Sequence, residues 1–375
     1  MNWNLSTLRR MFKPARQRTI RNKNNFRPRV ESLERRLAPA NVPILSGHYD
    51  NLLTGWNSQE SALNPTTVND ASFGKLFNYT VDGYTYAQPL YVPNLNIGGT
   101  TYNVVFAATE HDSLYAFNAD AKTGGPANDG LLWQRSFIDP INGINTMPAA
   151  DTLSSDIVPE VGITGTPIID PATNTLYVIA KTKEVRSTDP ANAHYVQKLY
   201  AIDITTGHNR ASNSVVTIGD STYINGTNTF ISDTTAISMP GTGAGSVNGT
   251  LNFNARKESD RMSLQLVPNG ANKTVYLAYA SHGDNGPYHG WIIGYNAADL
   301  SLQKVFNTSP NGSASGIWES GGNLGFDAQG NLYFATGNGF GTGFNFNSGG
   351  PTALGTGGAG LGYQNIGNSL GIALR

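Results

Sequence analysis

From residue 73 onward, short apolar runs alternate with clusters of Gly, Asn, Asp and Pro, and no long stretch carries a helical period. That pattern predicts strands. Four hairpin-containing units align. Innermost strands are expected at 86–92, 163–170, 263–268 and 322–327, second strands at 102–109, 175–181, 274–280 and 331–336. Third strands follow at 113–118, 197–203, 290–296 and 368–374, and fourth strands at 131–137, 212–218 and 302–307. The third strands set the register. Leu114-Tyr115-Ala116-Phe117-Asn118, Leu199-Tyr200-Ala201-Ile202-Asp203 and Ile292-Ile293-Gly294-Tyr295-Asn296 each place a small residue after an apolar pair and close on Asn or Asp.

The equivalent positions Tyr115, Tyr200, Ile293 and Leu370 lie 85, 93 and 77 residues apart. Four-stranded units at a nearly constant period predict an all-β chain, a β-propeller, because each sheet buries its faces only against neighbouring blades. The small residue of the third strand is expected to let adjacent sheets approach closely. The units fall near 84–137, 160–218, 257–310 and 316–375, within a propeller region of 41–375. The fourth stops after its third strand, so a partial or truncated propeller of about four blades is expected. An apolar stretch at 73–81 (Phe-Gly-Lys-Leu-Phe-Asn-Tyr-Thr-Val) is a candidate closing strand.

Composition narrows the chemistry. The 375 residues include no cysteine, which removes disulfides, thiolate nucleophiles and cysteine-ligated metals. No run approaches the eighteen apolar residues of a membrane-spanning helix. The formal net charge of −1 hides an asymmetry: residues 1–36 carry 11 Lys/Arg and two acids, the remainder 14 basic and 24 acidic groups. Residues 1–40 therefore form a basic leader, without the apolar core of a secretory signal peptide. Its Pro28-Arg29-Val30-Glu31-Ser32-Leu33-Glu34-Arg35-Arg36-Leu37-Ala38-Pro39-Ala40 resembles the LEPR-XLL segment of exported planctomycete surface proteins, with Arg35 where that motif has proline. The resemblance implies export to the cell surface. A bare cationic tail is the plainer reading, and no base-reading motif accompanies the charges to suggest nucleic-acid binding.

Ala116-Phe117-Asn118-Ala119-Asp120-Ala121-Lys122-Thr123-Gly124 with Trp133, and Ala201-Ile202-Asp203-Ile204-Thr205-Thr206-Gly207, resemble the A-x-D-x-x-T-G…W repeat of pyrroloquinoline-quinone (PQQ) propellers. Tyr49 to Asn57 and Ala87-Gln88-Pro89-Leu90 resemble the opening of bacterial PQQ-like repeat proteins. The resemblance implies a quinoprotein-like propeller. The dehydrogenases of that family use a ring of two adjacent cysteines, a Glu/Asn/Asp calcium set and an Asp base. The cysteines are absent here, and no calcium set can be assigned.

Loops gathered on one propeller rim are expected to carry any ligand site. The rim candidates are His111, Asp112, Glu160 and Glu319, with His282, Asp284, Asn285 and His289 as candidate cation ligands. Turn roles compete: Asp112 is expected to cap its own turn, and Gly283-Asp284-Asn285-Gly286-Pro287 is ordinary turn chemistry. Trp56, Trp133, Trp291 and Trp318 are expected to pack between blades. The favoured function is an exported, non-enzymatic binding or structural module, with no cofactor assigned. Its partner would be a small ligand, a surface protein or a polysaccharide, and open blade edges would permit self-association. The alternative is a PQQ/Ca²⁺-dependent oxidoreductase completed by a second half.

Overall fold

A computed structural model describes residues 42–50, 53–71, 73–211, 213–226, 229–233, 237–319, 321–345 and 350–353. The first sheet is a four-stranded antiparallel meander, β1 (Leu90–Ile97), β2 (Thr100–Ala108), β3 (Ser113–Asn118) and β4 (Leu131–Ser136). After β5 (Ile144–Pro148) and β6 (Glu160–Val161), a second meander follows: β7 (Ile168–Asp170), β8 (Thr175–Arg186), β9 (Asp189–Asp203) and β10 (Val215–Tyr223). The long β8–β9 hairpin outgrows its blade. β5 pairs with β8 at 182–184, and β11 (Phe230–Asp233) pairs with β10.

A small hairpin, β12 (Ser238–Pro240) and β13 (Thr250–Asn252), precedes the third unit. That unit comprises β14 (Glu258–Ser259), β15 (Gln265–Asn269), β16 (Asn272–Ser281), β17 (Trp291–Asn296) and β18 (Leu302–Asn307). Its meander is β15-β16-β17-β18, with β14 paired to the far end of β16. Beyond it lie β19 (Asn311–Ala314), the short pair β20 (Gly325–Phe326) and β21 (Leu332–Tyr333), and the hairpin β22 (Gly339–Asn345) and β23 (Gly350–Ala353).

The chain is all-β, and its repeated meanders stack as propeller blades do. Alternating residues of one strand enter different cores. On β8, Leu176, Val178 and Ala180 join a core with the first sheet (Leu90, Phe106, Leu114), while Tyr177 and Ile179 join another with the third unit (Leu277, Tyr279, Trp291, Ile293). On β17, Trp291, Ile293 and Tyr295 face that second core, and Ile292 faces a third with Ile317, Leu324 and Phe334. Sheets buried on both faces need near-continuous apolar strands. Each fully buried Leu, Ile or Phe contributes about 1.5–3 kcal/mol.

The third-strand pattern also has a basis within each sheet. Ala116 pairs with Phe106 and Trp133, Ala201 with Tyr177, and Gly294 with Tyr276. The small residue stands beside an aromatic ring on the next strand of its own sheet, and Ala116 and Ala201 also lie in the cores shared with the following unit. The closing residue makes a turn. The side-chain oxygens of Asn118, Asp203 and Asn296 each accept the backbone N–H two residues on, at 3.0, 2.8 and 2.9 Å.

Other expectations need correction. The first innermost strand is 90–97, shifted from 86–92, and the fourth unit's hairpin is confined to 325–326 and 332–333. Residues 73–81 form no strand: Tyr79 stacks on Phe117 at 4.3 Å, and its hydroxyl donates to the carbonyls of Asn118 and Ala121. The stretch docks by side chain, so its apolar residues satisfy packing without a ladder. Trp56 is 68 % exposed and packs between no blades. The strand expected at 368–374 and the leader 1–40 lie outside the described residues.

Candidate functional site

Polar groups collect where the second strands turn into the third and where chain enters the innermost strands. The β2–β3 turn carries Glu110, His111 and Asp112. Glu110 is 1 % exposed, and its Oε2 accepts the Gly162 N–H at 2.8 Å and the Thr164 hydroxyl at 3.1 Å. Gly162 is required there, because a Cβ would lie 2.4 Å from the Glu110 carbonyl oxygen. Burial outweighs both hydrogen bonds and pushes the Glu110 carboxyl up to about 7.

Asp112 is fully buried. Its Oδ1 accepts the backbone N–H of Lys181 on β8 at 3.1 Å, so the carboxylate ties two units together rather than capping its own turn. Lys181 ends the apolar run of β8, and its ammonium has three acceptors: the carbonyls of Arg256 at 3.1 Å and Glu258 at 3.0 Å, and His282 Nε2 at 2.6 Å. Burial lowers the Lys181 amine to about 7. It also raises Asp112, Glu258 and Asp260 well above the ordinary carboxylate range, and holds the His282 imidazole well below its usual value. A neutral imidazole accepting through Nε2 carries its proton on Nδ1.

Of the expected rim residues, His111 and Glu160 do meet, Nδ1 to Oε1 at 2.8 Å, across the first and second units. Glu319 stays within the fourth, where its Oε1 accepts the Ala335 N–H at 2.6 Å and burial raises its carboxyl. The expected cation set does not assemble. His282 is committed to Lys181, Asp284 Oδ1 accepts the Tyr288 hydroxyl at 2.7 Å, and Asn285 donates to the Leu153 carbonyl at 2.6 Å. His289 Nε2 lies 2.8 Å from the Ala244 carbonyl and Nδ1 2.9 Å from Ser309 Oγ. Among the described residues no three His, Asp or Glu side chains form a metal-holding group. With cysteine also missing from the sequence, the described residues do not fit a calcium-bound quinone.

Lys181, Glu258 and Asp260 were not singled out in the sequence, and Glu110 entered only as part of the Glu110-His111-Asp112 turn. A signal was present: acids recur just before innermost strands, as Glu160, as Glu258 with Asp260, and as Glu319.

Separate from this buried cluster is a cleft of about 560 Å³, lined by Ala244, Gly245, Asp284, Gly286, Pro287, Tyr288, Ser313, Ala314 and Asn338. Three segments build most of it, and Asn338 adds a fourth. Gly243 and Ala244 donate to the carbonyls of Pro310 and Gly312 at 2.9 and 2.7 Å, and Ala314 donates to the Tyr288 carbonyl at 2.9 Å. Tyr288 is 4 % exposed and packs edge-on to Trp318, with ring centroids 6.0 Å apart.

Fold and site together define a blade-repeat β protein with an open cleft at its third unit. No protein-family model matches the chain, and neither does any curated protein. Among solved structures it is similar to a quinohemoprotein alcohol dehydrogenase from Pseudomonas putida HK5, at 12 % identity and a TM-score of 0.30 over 67 % of this chain. It is also similar to a europium-containing methanol dehydrogenase, at 10 % identity and a TM-score of 0.20 over 68 % of each chain. The match spans about a third of the first enzyme, 34 % of its length.

Proposed function

We propose that this protein is a non-enzymatic binding module whose ligand sits in the cleft between the 241–246, 284–288 and 313–314 segments. The observation that carries the reading is the cleft itself: its volume suits a small organic ligand, and Asp284 is the one charged side chain in its lining. A single carboxylate bonded to the Tyr288 hydroxyl, with no histidine or lysine in the lining, supports binding rather than turnover. Of the groups with displaced proton affinities, Asp112 and His282 are hydrogen-bonded to Lys181, where they join units together. The alternative, a PQQ/Ca²⁺-dependent oxidoreductase, finds no matching donor set among the described residues.

The reading extends to export and a cell-surface role, supported by the cationic leader and its Ala38-Pro39-Ala40 segment. A surface protein or polysaccharide, or a second copy joined through open blade edges, remains compatible with a binding module. Saturation-transfer NMR against a panel of small organic compounds tests the reading. Compounds that bind should lose their signal in Asn338→Trp, which fills the cleft from an exposed position. Dye reduction by the protein supplied with PQQ and Ca²⁺ would replace this reading with the oxidoreductase.

A further inference from the structure

We infer that the cleft selects ligands with an ammonium group on a compact apolar body. The inference rests on the binding reading above and names the ligand class. Most of the lining is apolar or backbone: Ala244, Gly245, Gly286, Pro287, Tyr288 and Ala314. Against this stands one carboxylate, Asp284, on an exposed loop. The Tyr288 hydroxyl donates to Asp284 Oδ1 at 2.7 Å, which orients the carboxylate and leaves Oδ2 without a hydrogen bond among the described residues. An oriented carboxylate beside apolar walls pairs best with a charged donor, since charge-assisted hydrogen bonds are roughly twice as strong as neutral ones. Lys257 donates to the Gly286 carbonyl, so its ammonium is already engaged and does not line the cleft.

The floor is built to hold its shape. Ala314 and Ser315 are successive non-glycine residues in the left-handed region, at φ 61° and 60°. Such a conformation costs about 1–3 kcal/mol per residue and persists only where surrounding structure over-determines it. Here the Ser315 N–H donates to the Asn338 carbonyl at 2.5 Å, and the Thr308 hydroxyl donates to the Ser315 carbonyl at 2.8 Å. A preorganised floor reduces the ordering cost of binding.

A sugar is the competing ligand class. Sugar recognition draws on an open aromatic face and several planar polar side chains. The Tyr288 ring is buried edge-on against Trp318, and Asn338 and Asp284 are the lining's only planar polar groups.

Isothermal titration with phenethylammonium, phenethyl alcohol and a neutral disaccharide, on the full chain and on Asp284→Asn, decides the matter. Phenethylammonium should bind at least tenfold more tightly than the alcohol. Asp284→Asn should abolish that preference while circular dichroism stays unchanged, and Asn338→Trp should block both. Equal affinity for amine and alcohol, or an unaltered preference in Asp284→Asn, overturns the ammonium inference and leaves a binding module standing. Preference for the disaccharide overturns it in favour of a sugar. Failure of all three probes, together with an empty compound screen, overturns both readings.

Discussion

Glu110 shows how a single residue can link ionisation to stability. Its carboxyl is raised from 4.5 to about 7, chiefly by burial. Between those values the folded protein holds a proton that the unfolded chain has released, so stability falls as pH rises across that range. The shift corresponds to about 3 kcal/mol. Glu110→Gln keeps an acceptor for Gly162 and Thr164 but cannot ionise, and should remove this part of the pH dependence. Urea titrations at pH 5 and pH 8 should show the variant gaining relative to the parent by about 3 kcal/mol at the higher pH. A constant difference between the two proteins would mean that Glu110 is ionised in both states. Lys181 acts in the opposite sense above neutrality. Its amine is lowered to about 7, so the unfolded chain binds the extra proton and stability rises with pH from there toward 10.5.

Among the elements, the repeated strand-turn pattern was the most legible part of the sequence. Periodicity located the second, third and fourth strands of the first and third units to within two residues, but missed the five- to eight-residue extensions of β8, β9 and β10, and the Asn/Asp closures proved to be side-chain turns. Local pattern does not report distant partners, which is why 73–81 resembled a strand and Lys181 resembled the end of one. Its three acceptors lie 75 to 101 residues away. The cleft was partly legible: Asp284 stood out in its loop, but Tyr288 was passed over and Ala244 and Ala314 carry no chemical signature. The Thr-Gly turn and the tryptophan turn out to be one device. Gly207 has φ 73°, a Cβ there would lie 2.7 Å from the Trp133 ring, and the Trp133 indole donates to the Ile204 carbonyl at 2.9 Å. Gly207→Ala should combine left-handed strain with displacement of the indole, and cost about 2–4 kcal/mol. Chemical denaturation with Trp fluorescence reads both effects. A loss under 1 kcal/mol would show that the turn yields easily. Leu300 makes the corresponding turn of the third unit at φ 56°, with its N–H donating to Asn296 as that of Gly207 does to Asp203.

At the level of the whole molecule, the decisive feature is that successive sheets share cores through opposite faces of the same strands. Phe106 belongs to the core between the first and second units. Phe253 belongs to the next, edge-on to both Tyr279 and Trp291 at 4.8 and 6.0 Å. Between them lies β8, whose alternate residues enter one core and then the other. The second and third units are further tied by the Tyr177 hydroxyl, which donates to the Ala297 carbonyl at 2.7 Å, and by Arg210, which donates to the same carbonyl at 3.1 Å. Because β8 cannot lose one core without exposing a face of the other, the described sheets should unfold together rather than blade by blade. Phe106→Ala and Phe253→Ala each remove a fully buried ring, at about 3–5 kcal/mol. Both should move one shared denaturation midpoint by similar amounts, whether followed by far-UV circular dichroism or by Trp fluorescence. Two midpoints, with each variant shifting only one, would instead mean that the blades behave as separate cooperative units, as nearest-neighbour repeats do when their interfaces are weak.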